Sequence, residues 1–370
     1  MGEDAGGSGY TNYQALDRFK RDALESARTT DDYIKRLSLR AVPEMHGESV
    51  FLIEFPDFFL AHVEESLGTK VLVADEWRKL TGESCYHLVA QDTFAMIMND
   101  MATSGASPVS VTMFLAVGDA GYLKDNLRRK TLVEGWRRCC ERVGCVWAGG
   151  ETPELTSVVL PNAAVLAGSA VGIIKPKERR IVERIKPGDV IVFLTSSGIH
   201  ANGLTKARKI AEKLPGEFLA TLPDGRPYGR ALLEPTHLYG PFVERCLEGR
   251  IIIRYAAHIT GHGWPKIMRA PKSFRYVIDT LPPPLPIFEF MVEKGDIPLK
   301  KAYATLNMGV GLALIVHESE VRDVVTIAAE HRKECGFDAI VGGHVEESTE
   351  KRLVIDPLGF EYDASDLDIR

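Results

Sequence analysis

Short apolar runs alternate with amphipathic helical stretches along most of this chain, and that alternation restricts it to sheets layered with helices. The runs at 49–55, 109–117, 145–150, 163–174, 190–194, 251–257 and 339–345 have strand length and are rich in β-forming residues, and another follows two glycines at 312–316. Those at 109–117 and 145–150 read as buried strands. The stretches 91–100, 121–143, 204–213, 234–247 and 318–335 read as helices. Residues 10–37 are charged and helix-forming, with Leu16, Phe19, Ala23, Leu24 and Ala27 at helical spacing. Residues 62–70 read as a loop. Composition shifts at Lys175-Pro-Lys-Glu-Arg-Arg180 and Lys186-Pro-Gly-Asp189, which are polar and turn-rich. The expected organisation is a disordered tail at 1–9, one domain at 10–175 and a second at 176–370. A chain of 370 residues can give each its own core. The fold class is α/β (α+β).

Charge and cysteines exclude several function classes. The net charge is −6 with acids and bases mixed, so no nucleic-acid groove is expected. The first nine residues lack an apolar core and do not form a secretory signal. The longest apolar runs are too short to span a bilayer, so no membrane partner is expected. The six cysteines show neither CxxC pairs nor metal-finger spacing, which fits reduced thiols in the cytoplasm.

The chemistry concentrates where apolar runs meet glycine-rich polar loops. Cys145-Val-Trp-Ala-Gly-Gly-Glu-Thr-Pro-Glu154 ends at two glycines and presents Glu151, Thr152 and Glu154. Glycine lets backbone approach a phosphate, and a carboxylate beside it suits Mg²⁺. A helix over 91–100 puts Asp92 and Asn99 on one face, with Asp100 next to them. Gly68-Thr69-Lys70 offers backbone N–H groups and an ammonium to an anion. Thr195-Ser-Ser-Gly-Ile-His-Ala-Asn-Gly203 leads from a strand into a helix, the geometry of an anion cradle. His258-Ile-Thr-Gly-His-Gly-Trp-Pro-Lys266 carries two histidines able to move protons, and a lysine. Each stretch, taken alone, also has a plainer reading as a turn, a helix cap or a strand end.

Five stretches in this order resemble the aminoimidazole ribonucleotide synthetase (phosphoribosylformylglycinamidine cyclo-ligase) family. They are Glu65-Ser-Leu-Gly-Thr-Lys70; Asp92 through Asn99-Asp100 with Gly105-Ala-Ser-Pro108; Gly149-Gly-Glu-Thr-Pro-Glu154; Ser196-Ser-Gly-Ile-His-Ala-Asn-Gly203; and His258-Ile-Thr-Gly-His-Gly263 with Asn307-Met-Gly309. The similarity runs from about residue 60 to 355. The family sits in a superfamily of ATP-using enzymes that includes selenophosphate synthetase and thiamine-monophosphate kinase.

The resemblance implies a homodimer whose N-terminal domains contribute strands to a shared β-barrel, and a mixed α/β C-terminal domain. It implies ATP and Mg²⁺ as cofactors and a ribonucleotide substrate. By motif, Asp92, Asn99, Asp100 and Glu151 serve the metal. Glu65, Gly68, Thr69, Lys70, Gly149, Gly150 and Thr152, with Asp92 and Asn99, serve the nucleotide. Ser196, Ser197, Gly198, His200, Asn202, Thr260 and Asn307 serve the ribonucleotide. His258, Lys70 and Asp100 are the catalytic candidates. The implied reaction is ATP-driven closure of formylglycinamidine ribonucleotide to aminoimidazole ribonucleotide. The alternatives are another ATP-dependent kinase or synthetase of the superfamily, or a non-catalytic nucleotide binder. The chain departs from the family pattern at several points. Val63-Glu-Glu-Ser-Leu-Gly-Thr-Lys70 stands where the family reads Gly-Thr-Asp-Gly-Val-Gly-Thr-Lys, Met113 replaces an aspartate, His262 replaces a glycine, and the usual glycine-rich segment is barely recognisable in 38–60.

Overall fold

The computed structural model describes residues 13–367, so the tail expected at 1–9 lies outside the described residues. The first half builds one sheet from β1 (Arg40–Ala41), β2 (Phe51–Glu54), β3 (Phe59–Ser66), β4 (Ser107–Val117), β5 (Val146–Glu151) and β6 (Ala164–Ile174). Their order is β1-β2-β3-β6-β4-β5, antiparallel except for β4 with β5. Its helices are α1 (Tyr13–Arg28), α2 (Lys70–Thr81), α3 (Tyr86–Ala102) and α4 (Asn126–Val143). The helix α3 is buried along nearly its whole length, which explains why its apolar residues are not confined to one stripe. Phe94 on α3 meets Trp136 on α4 edge to face, ring centres 5.5 Å apart.

The second half builds a seven-stranded sheet from β7 (Val190–Thr195), β8 (Ile253–His258), β9 (Phe274–Ile278), β10 (Val310–Val316), β11 (Ala339–Glu347), β12 (Arg352–Ile355) and β13 (Phe360–Asp363). Their order is β13-β12-β9-β11-β7-β10-β8. All of β10 is buried, and β7 nearly so, which is why both read as unbroken apolar runs. The helices are α5 (Leu204–Ala211), α6 (Tyr228–Leu232), α7 (Gly240–Glu248), α8 (Pro286–Lys294), α9 (Leu299–Thr305), α10 (Glu318–Glu330) and α11 (Arg332–Cys335). Packing crosses the division between the sheets. The core around α2 and α3 continues through Leu204 and Ala207 of α5, Ala231 of α6 and Phe288 of α8. The architecture is mixed α/β with two sheets. Among the described residues, no helix is long and apolar enough to cross a membrane.

Four local expectations change. Residues 62–66 are not loop. They finish β3, which is paired on both sides and alternates buried Phe59, Ala61 and Val63 with more exposed neighbours. The run at 145–150 is not buried. Strand β5 is an edge strand paired only with β4, and Val146 is 65% exposed. Nor is 109–117 uniformly buried, because Val109 and Phe114 face outward. Finally, residues 234–239 precede the helix at α7. Pro235 disfavours helical backbone at Glu234, and Pro241 suits a first helical turn.

Candidate active site

The face shared by Asp92 and Asn99 on α3 meets the segment 234–239, and that meeting ties the two halves together. Asp92 Oδ1 accepts from the Thr236 backbone N–H at 2.8 Å and the Thr236 hydroxyl at 2.6 Å. The Asn99 amide donates to His237 O at 2.9 Å, and Asn99 Oδ1 accepts from Tyr239 N–H at 2.8 Å. Four successive carbonyls of this segment are each taken by a different side chain. Lys70 takes that of Glu234, Ser197 that of Pro235, Gln91 that of Thr236 and Asn99 that of His237. A segment outside helix and strand has no ladder partner, so side chains must satisfy its buried polar groups.

Lys70 opens α2 and has no exposed surface. Its ammonium lies 2.7 Å from Asp92 Oδ2, a pair matched by charge and distance without the alignment of a hydrogen bond. It donates to Glu234 O at 2.8 Å and His200 O at 3.0 Å. Burial lowers the lysine and raises the aspartate, each against its charge. The two backbone carbonyls and the two Thr236 donors favour the ionised pair, which is the state we assign.

The serine-glycine loop is likewise tied inward. Ser196 donates to Asn307 Oδ1 at 2.9 Å, and the Asn307 amide donates to Gly198 O at 2.9 Å. His200 is buried in left-handed backbone, and burial holds its ring well below the usual range. Ser196, Ser197, Gly198 and Asn307 therefore spend these polar groups on one another and on the 234–239 segment, and His200 Nε2 accepts from the Ser197 backbone N–H at 3.3 Å.

Two clefts open on either side of the loop 258–263. The first, about 340 Å³, is lined by Gly68, Thr69, Asn202, Gly261, Lys301 and the first turn of α5 through Lys206. The second, about 490 Å³, is lined by Glu48, Glu65, Asp100, Thr260, His262, Lys266 and Arg269, with α1 as a further wall. Asp100 Oδ1 lies 2.6 Å from His258 Nδ1, and both residues are buried. Burial pushes the Asp100 carboxyl up, but the His258 ring, Lys266 and Arg269 outweigh it and hold it below its usual value. Burial, reinforced by Asp100, pushes Glu65 up to about 7. Burial pulls Lys266 down to about 8.

Six of the sequence-predicted site residues thus line a cleft: Gly68, Thr69 and Asn202 the first, Glu65, Asp100 and Thr260 the second. Gly149, Gly150, Glu151 and Thr152 lie exposed at the end of β5, among the lining residues of neither. The backbone of Gly150 presses on Met113 O so closely that a side chain there would collide with it. Sequence reasoning assigned no role to Lys206, Lys301, Lys266 or Arg269. Lys266 was visible in the 258–266 stretch, but nothing in sequence separates a lysine facing a cleft from one facing solvent.

The expected metal ligands do not assemble as one set. Among the described residues, no group of three or more His, Cys, Asp or Glu side chains could hold a metal ion. Asp92 and Asn99 are committed to the 234–239 segment, and Glu151 is elsewhere. Glu65 and Asp100 share the second cleft. Two carboxylates are what Mg²⁺ takes from a protein when phosphates and water complete its shell, so this pair fits a metal carried by a nucleotide.

Comparison with known proteins bears on both halves. Residues 52–174 match the AIR synthase related protein N-terminal domain, and 186–356 match the C-terminal domain. The chain is 31% identical over 336 residues to the phosphoribosylformylglycinamidine cyclo-ligase of Methanococcus maripaludis strain C6, covering 90% of this chain and 91% of the relative. Among solved structures it resembles that of a HypE–HypF complex, with a TM-score of 0.60 and 16% identity over 86% of this chain and 93% of the other. It also resembles AaThiL complexed with AMPPCP and TMP, with a TM-score of 0.57 and 15% identity over 94% and 96%. The two structures share its fold. With both halves of the fold matched in order, and a relative above 30% identity along nearly the full length, the chain belongs to the AIR synthase related protein family.

Proposed function

We propose that this protein is an enzyme of cytoplasmic purine biosynthesis that closes formylglycinamidine ribonucleotide to aminoimidazole ribonucleotide, turning ATP into ADP and phosphate. The observation that carries this reading is the pair of clefts sharing the 258–263 loop as a wall, in a chain similar over 90% of its length to a cyclo-ligase. Two ligands that must react need adjoining sites and fixed geometry more than a nucleophilic side chain.

The first cleft takes the ribonucleotide. Its phosphate meets the first turn of α5, whose backbone N–H groups and dipole favour an anion, with Lys206, Lys301, Thr69 and Asn202 around it. The second cleft takes the triphosphate end of ATP. Magnesium bound with the nucleotide neutralises phosphate charge there, and Glu65 and Asp100 are the carboxylates that would hold it. The amide oxygen of the substrate attacks the γ-phosphorus, and the bond from that phosphorus to ADP breaks with its electron pair on ADP. The neighbouring nitrogen then attacks the activated carbon, the carbon–oxygen bond breaks and phosphate leaves. His258, bonded through Nδ1 to Asp100 and with Nε2 left without a partner among the described residues, is the residue we assign to take the proton that the ring nitrogen loses.

The test is direct. Purified protein given Mg-ATP and formylglycinamidine ribonucleotide is expected to form ADP and the cyclised product in equal amounts, followed by mass spectrometry. ADP without cyclised product identifies a different acceptor. Folded protein that forms neither overturns the enzymatic reading.

Homodimerisation is part of the same reading. Val109, Phe114, Val146 and Val165 expose apolar surface on the first sheet, and covering it would place Glu151 at the end of β5, with Thr152 after it, at a subunit boundary. Sedimentation equilibrium is expected to give twice the 40.9 kDa chain mass, and a monomer at micromolar concentration rejects the dimer.

A further inference from the structure

Among the described residues, Lys70 and Lys266 are the buried lysines, and their surroundings differ in kind. The ammonium of Lys70 meets three oxygens, donating to two backbone carbonyls and paired by charge with Asp92. Lys266, 8% exposed, donates to one neutral partner, the Thr260 hydroxyl at 2.6 Å. It forms no ion pair among the described residues. The nearby carboxylates are partly engaged, since Asp100 is bonded to His258 and Glu48 lies 3.8 Å from Arg269. A buried ammonium with one uncharged partner is costly, and a protein keeps one where a ligand completes its shell.

We infer that Lys266, and not Lys70, is the lysine that contacts the transferring phosphoryl group. The inference rests on the reading that this protein turns over Mg-ATP. Lys266 lines the second cleft with Glu65, Asp100 and Arg269. A phosphoryl group brings several acceptor oxygens for the two N–H donors that Thr260 leaves over. Carboxylates beside the lysine disfavour a bare anion and suit a phosphate that carries a metal ion. The backbone delivering Lys266 is firmly seated. The indole of Trp264, two residues earlier, donates to Asn307 O at 2.7 Å, and its ring packs against Phe193 and Tyr303. Lys266 forms no covalent bond in the step. It donates to non-bridging γ-oxygens while the bond from phosphorus to ADP breaks, with its electron pair on ADP, and the bond to the amide oxygen forms. Lys70 could reach a phosphate only by leaving Asp92 and two backbone carbonyls.

Full-length Lys266→Met tests this, with titration calorimetry using the ATP analogue AMPPCP, and separately ADP, each with Mg²⁺. AMPPCP affinity is expected to fall about 10- to 100-fold, the loss of one charged hydrogen-bonding partner, while ADP affinity changes by less than about threefold. Turnover is expected to fall further, and Lys266→Arg to recover part of the AMPPCP binding. Lys266→Gln carries the same comparison should the methionine variant not fold. Wild-type affinity for AMPPCP in the variants overturns the role of Lys266 and leaves the nucleotide reading standing. Wild-type protein that binds neither AMPPCP nor ADP overturns both. Equal losses for AMPPCP and ADP reduce Lys266 to a structural residue.

Discussion

Asp100→Asn is expected to lower turnover about 10²- to 10³-fold, the scale of a lost acid–base or metal-binding group, while the protein stays folded. Asp100 joins the two parts of the proposed chemistry. It lines the second cleft and orients His258 through Nδ1 at 2.6 Å. Asparagine keeps the shape but loses the charge, and its amide end can present a donor to the histidine. The folded carboxyl lies below its ordinary 3.8, so the stability it contributes is complete at neutral pH and is lost as pH falls through the folded value. A loss of activity at pH 7 would therefore report on the site and not on proton uptake by Asp100. The measurement is steady-state ADP release alongside a urea denaturation curve. Turnover within about threefold of wild type would remove Asp100 from the site.

Lys70→Met is expected to lower stability by about 3–5 kcal/mol, because it leaves Asp92 charged and buried without its cation. Both side chains have no exposed surface, and the same lysine holds the Glu234 and His200 carbonyls. The loss should appear as a lower urea midpoint with little change in slope. Lys70→Met combined with Asp92→Asn should recover much of it, since the amide keeps an acceptor for Thr236 and carries no charge. If instead Lys70→Met kept wild-type stability and lost AMPPCP binding, Lys70 would be the phosphate lysine after all. The two lysine variants thus separate a residue that holds the halves together from one that meets the ligand.

Much of the architecture was legible from local pattern. The strands β4, β6, β7, β8, β10 and β11 and the helices α3, α4 and α5 fall where apolar spacing places them, within a few residues. The shared face of Asp92 and Asn99 followed from helical geometry alone, and both do face one segment. Sequence did not reveal β9, β12 and β13, because β12 and β13 have only four residues each and β9 carries Arg275 within five. The same patterning could not reveal that 62–66 is strand and that 234–239 lies outside helix, because the groups that pair with them are distant in sequence.

What the sequence determined by itself was the alternation of elements, the family and the positions of the glycine-containing polar loops along the chain. These follow from periodicity, turn chemistry and motif order, which are local properties of the chain. Only tertiary structure decided which polar residues face a cleft. Lys70 follows Gly68, Lys266 follows Gly261 and Gly263, and both are buried, so nothing local tells them apart. One sits among three oxygens brought from α3 and from residues more than a hundred positions away, and the other beside a single hydroxyl at a cavity wall. A side chain's freedom to bind depends on which of its hydrogen bonds and charges are already satisfied, and that balance exists only once distant segments have packed together.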